Sequence, residues 1–142
     1  MTDQLLDQVT AVFLPDVHSL GFAIVHHQES ESFGDALVIA QAGDVRVRIT
    51  RDRDQIIVYV GSTIEPETWF DIDDLARLLG LPTGSVPIGT DVSAVSRATA
   101  AFLLAAWNQL TEVLSRPQFP ETKRAVTALA RARFSNMFGK SK

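Results

Sequence analysis

Three histidines, seventeen aspartates and glutamates and no cysteine bound the chemistry available to this chain. Without cysteine there are no disulfides, no thiolate nucleophile and no cysteine-based zinc site. His26 and His27 are neighbours in a segment that reads as a strand, so their rings point to opposite faces and cannot share a metal. His18 falls at the end of a predicted helix, where a positive imidazole is favoured by the helix dipole alone. Asp71, Asp73 and Asp74 have the composition of a metal or acid–base cluster, yet aspartates at a helix start also offset its positive end. Gly80, Gly84 and Gly89 fit neither the GxGxxG nor the GxxxxGK[ST] phosphate loop. Ser85, in TGSVP, is not a nucleophile elbow. No nucleophile, base and orienting group stand together, so the expectation is a non-enzyme with no metal and no cofactor.

The elements that would position any such residues are legible from periodicity. Leu5, Leu6, Val9, Val12 and Phe13 recur at helical spacing and predict a helix over 3–19, capped by Asp3 and troubled by Pro15. Gly21 suits a left-handed stop before a first strand at 22–27. A second strand is expected at 35–41, a turn at Ala42-Gly43-Asp44, a third strand at 45–50 and a fourth at 55–60. Asp71 then opens a helix carrying Leu75, Leu78 and Leu79, which Gly80 and Pro82 end. LPTGSVPIGTD (81–91) reads as an irregular, potentially functional loop. Asp91 or Thr90 caps a long helix to about Ser115, and a last helix spans about 121–138, with Arg133 inside its apolar stripe. The fold class is therefore α+β. An N-terminal helix, a four-stranded antiparallel meander and three helices packed on the sheet make two layers in a single domain, 1–142.

Strand register sets which residues share a face. Val45, Val47 and Ile49 alternate with Arg46, Arg48 and Thr50. Placing Thr50 opposite Gln55 pairs Ile49 with Ile56, Val47 with Val58 and Val45 with Val60 on one dry face. The other face then pairs Arg48 with Ile57 and Arg46 with Tyr59, where a guanidinium can lie on a ring. A three-residue loop through Gly43 would add Leu37 and Ile39 to the dry face, which is the preferred arrangement; a two-residue loop would send them to the arginine face.

Charge separates along the chain. The net −4 divides into +5 over the basic C-terminal helix and tail, 120–142, and −9 over the remainder. An acidic body disfavours nucleic acid and attracts a basic protein. The longest apolar run, Ala100–Trp107, is far short of the ~20 residues that cross a bilayer. The start, MTDQLLDQVT, has no basic region before its first apolar positions, so no secretory signal, no membrane partner and a cytoplasmic address are expected. Tyr59, Glu65, Glu67, Trp69, Asp71 and Asp73 are the candidate partner-binding residues, combining an acidic group with aromatic anchors.

The runs SLGF (19–22), SFGDALVI (32–39), VRVRITRDRDQIIVYVGS (45–62) and WFDIDDLARLL (69–79) resemble the layout of small bacterial immunity proteins. These are the antidotes of polymorphic-toxin and contact-dependent inhibition systems. The resemblance covers residues 3–80 in order and texture. It implies a cytosolic, non-catalytic protein, monomer or homodimer, that binds a basic toxin domain and blocks its active site. An acidic secretion chaperone binding an effector client is the alternative, although its helices would interleave with its strands. A small enzyme ranks third.

Overall fold

A computed structural model describes residues 5–29, 35–84, 86 and 88–138, with backbone alone at 136–138. The expected Asp3 cap, Ser85 and the end of the basic tail lie outside the described residues. Helix α1 (Leu5–Val17) presents Leu5, Val9, Phe13 and Val17 at four-residue spacing, all fully buried. It runs through Pro15. Pro15 cannot donate to the carbonyl of Ala11, but both residues are exposed, so the unmatched group lies on the solvent side. A 3-10 turn (His18–Leu20) follows, and Gly21, at φ +90°, closes it with its N–H on the His18 carbonyl.

Five strands follow in simple antiparallel order: β1 (Ala23–Glu29), β2 (Ala36–Ala42), β3 (Val45–Asp52), β4 (Gln55–Ser62) and β5 (Trp69–Asp71). The sheet is thus one strand larger than the sequence predicts. Trp69–Asp71, expected as the end of a loop, pairs Phe70 with Val60 and Trp69 with Gly61. Three residues are too few to show alternation, so only the partner strand defines them.

Both hairpins correct the expected registers. Between β3 and β4 the loop is Arg53-Asp54, both at positive φ (54° and 75°), as a type I′ turn requires. Gln55 therefore faces Asp52, Val58 faces Ile49 and Tyr59 faces Arg48. The two-residue shift leaves every side chain on its predicted face but changes its partner. Between β2 and β3 a two-residue turn puts Ala42 opposite Val45, with Gly43 at φ +59° in the first turn position. That one-residue difference sends Leu37 and Ile39 to the arginine face and turns Ala36, Val38, Ala40 and Ala42 inward. Small residues suit that side because α1, lying against β1 and β2, fills the space with Leu5, Val9 and Phe13.

Helix α2 (Ile72–Leu78) starts where β5 ends, with the Asp71 carboxylate accepting from the Asp73 N–H at 2.8 Å. Helix α3 (Val92–Val113) is capped by Asp91, which accepts from Ser93 and Ala94. Helix α4 begins at Phe119, two residues earlier than expected, and runs to Phe138. Pro120 sits in its first turn, where a missing N–H costs no helical bond. The buried apolar helix residues join one core with the Val45/Val47/Ile49 face of the sheet. At its end, the Ser62 hydroxyl donates to the Leu114 carbonyl at 2.7 Å, tying β4 to the close of α3. No helix among the described residues is long and apolar enough to cross a membrane.

Candidate functional site

The opposite face of the same sheet has a different composition. Leu37, Ile39, Arg46, Arg48, Tyr59 and Trp69 share it by register; Ile39 is buried and the other five are half-buried. Arg48 lies directly across from Tyr59, with its guanidinium carbon 4.5 Å from that ring's centre and 5.1 Å from that of Trp69. Arg46 lies 5.2 Å from the same indole and donates through Nη1 to the Pro66 carbonyl at 3.0 Å. Two guanidiniums and two aromatic rings form a stacked tray across three strands.

Gly61 makes that tray possible. It stands between Arg46 on β3 and Trp69 on β5, and the indole crosses the space a side chain would occupy. A Cβ there would meet Trp69 Cε3 at 3.0 Å and the Thr68 carbonyl oxygen at 2.8 Å. A glycine inside a strand often marks such a close approach. The sequence carries the signal, but Gly61 reads there as the end of the fourth strand.

The tray is held at a cost. The Nε atoms of Arg46 and Arg48 are buried without a hydrogen-bond acceptor among the described residues. Each such donor forfeits about 1–3 kcal/mol of solvation, against about 0.5–2 kcal/mol gained per cation–π contact. The terminal nitrogens of Arg48 reach solvent, and no described residue bonds them or places a carboxylate on them.

The predicted site residues divide. Tyr59 and Trp69 come together in the tray, whereas Glu65, Asp71 and Asp73 serve the fold. Glu65 accepts from Lys123 Nζ at 2.6 Å and from the Thr68 hydroxyl, and these bonds, that to Lys123 foremost, lower its pKa from the ordinary glutamate value. Asp71 caps α2, and Asp73 accepts from the Gly84 N–H at 2.9 Å, pinning the start of the 81–91 segment. Glu67 is exposed on the turn before β5. Asp74 does not complete the helix start. Its carboxylate, only 3% exposed, takes a two-pronged contact from Arg133 Nη2 (2.7 Å) and Nε (3.2 Å) on α4. That bond raises the Arg133 pKa further above its ordinary value. An arginine inside the predicted apolar stripe of the last helix was the available sign of such a buried partner.

The remaining sequence candidates find structural places. Gly89 in the 81–91 loop bridges Ile56, accepting its N–H at 2.7 Å, and so continues the β4 edge beyond the reach of β5. His26 and His27 lie opposite Ile39 and Val38 respectively and hence on different faces; the His26 ring contacts Gln28 Oε1 at 3.1 Å. Beside the tray, a cleft of about 380 Å³ runs between β5 and α4, lined by Trp69, Asp71, Val126, Ala130 and Phe134.

Comparison with protein-family models, with curated proteins and with solved structures finds no match to this chain.

Proposed function

We propose that this protein acts by binding another protein, and that the open sheet face carrying Arg46, Arg48, Tyr59 and Trp69 is its docking surface. One observation carries the reading: the Arg48 guanidinium lies against two rings with its Nε buried, and no described residue hydrogen-bonds it. Arginine, tyrosine and tryptophan are the residues in which interface energy concentrates. A sheet also holds them rigidly, so little side-chain entropy is left to lose on binding. Within this class we favour an antidote, whose partner is a toxin domain silenced by being covered; the layout of residues 3–80 supports that choice.

The test is quantitative capture from lysate of the source cells with three baits: wild type, the double variant Arg48→Glu/Trp69→Ala, and Ala105→Glu on the solvent side of α3. A partner held by wild type and Ala105→Glu but lost by the double variant supports the reading. Equal capture by all three baits, or no specific capture, counts against it. For the antidote, co-expression with the captured protein should restore growth, and the double variant should fail to do so.

A further inference from the structure

Resting on that reading, we infer that the docking face recognises carboxylates, so that the partner surface carries aspartate or glutamate side chains among apolar ones. Arg48 is the reason. The rings of Tyr59 and Trp69 hold its guanidinium in place, and its dry Nε leaves the two terminal nitrogens as the donors open to a partner. A planar pair of donors matches a carboxylate held by two parallel hydrogen bonds. Arg46 stands two residues along the same strand, with Nη1 already committed to Pro66, and flanks the seat with a second positive charge. Leu37, half-buried and in register on β2, supplies apolar contact beside it. By register the strand acids on this face are Asp52, four residues along β3, and Asp71, opposite Tyr59, whose carboxylate is engaged with the start of α2.

The acidic residues of the body do not reverse this local preference. Screening limits exposed charges to about 8 Å at physiological salt, and the groups in contact with a docked side chain are the two guanidiniums. The same charge balance separates a protein partner from nucleic acid. Affinity for nucleic acid accumulates over many neutralised phosphates, whereas this face offers two cations on a chain of net −4.

Nuclear magnetic resonance on the intact chain can follow the Nε–Hε signals of Arg46 and Arg48 and the indole signal of Trp69. The probes are an alternating leucine–glutamate hexapeptide, its leucine–glutamine counterpart and a single-stranded oligonucleotide. The glutamate peptide should move the Arg48 and Trp69 signals saturably, at least tenfold more tightly than the glutamine peptide. Arg48→Gln should abolish that difference, and Arg46→Gln should reduce it. The backbone amide spectrum of each variant reports that the sheet is intact. Equal binding of the two peptides would overturn carboxylate recognition while leaving the docking surface standing. So would glutamate binding that survives Arg48→Gln, tighter binding of the oligonucleotide, or no response to either peptide. Equal capture by all three baits, or no specific capture, would instead strike the functional reading itself.

Discussion

The two faces of one sheet are built from the same strands and obey opposite rules. Toward the helices stand Val45, Val47, Ile49, Val58 and Val60, all buried and all apolar. One residue along each strand stand Arg46, Arg48 and Tyr59, half-buried, with two guanidinium donors that no described residue satisfies. The first face stabilises through area removed from water and tight packing. The second gathers cations and aromatic rings where the first has only apolar packing. Strand alternation lets one segment serve both ends, because successive side chains never meet.

Substitutions at neighbouring positions sharpen the contrast. Ile49→Ala, on the inner face, should cost about 2–5 kcal/mol through lost burial and a cavity, measured by denaturant unfolding. Arg48→Met, one residue away, should leave stability within about 1 kcal/mol of wild type, since the lost ring contacts are offset by removal of a dry donor. If Arg48→Met cost as much as Ile49→Ala, the outer face would be structural and the comparison would collapse.

Gly61→Ala tests how the outer face is assembled. Its Cβ would press on the Thr68 backbone oxygen, which cannot swing away as a side-chain tip can. We expect about 1–3 kcal/mol of destabilisation from overpacking, together with a shifted Trp69 emission in a Trp107→Phe background. Unchanged emission would mean that the indole does not depend on the glycine slot.

The α2–α4 contact gives a smaller effect with a built-in asymmetry. Arg133→Ala strands a carboxylate that is 3% exposed, while the arginine side chain it removes is itself 45% exposed. Allowing for that solvent access, the loss should be about 1–2 kcal/mol. Asp74→Ala should cost less, because the freed guanidinium returns to water. Equal losses would show that the pair acts only as packing.

The smallest effect is expected from pH. The folded pKa of Glu65 lies below its unfolded value because Lys123 and Thr68 bond the ionised form. Its contribution is therefore present above the ordinary glutamate range and is lost as pH falls through the folded value. Hydrogen exchange along α4 should quicken in that acid window, and Glu65→Gln should remove the change.

Much of this was open to reading before any coordinates. The α+β class, the alternation of Val45 to Thr50, the Asp71 cap and the left-handed Gly21 follow from local spacing and turn chemistry. The candidate site was half legible. Tyr59 and Trp69 stand out as aromatics near charged residues, but Glu65, Asp71 and Asp73 could be taken for free acids. Their donors lie two to fifty-eight residues away in the chain. Capping is a local bond and can be anticipated; the Lys123 and Arg133 contacts depend on where α4 lands.

The amino-acid order by itself decided which residues alternate, where helices begin and which segments must turn, because those preferences act over a few neighbouring residues. Tertiary structure decided the rest. A one-residue difference in the Gly43 turn moved Leu37 and Ile39 to the outer face, and pairing with Val60 alone made Phe70 part of a strand. Only the packed sheet brought Trp69 across Gly61 to the two arginines. The physical reason is that register and cross-strand neighbours depend on the combined free energy of turn, core and edge, a quantity no short window of sequence contains.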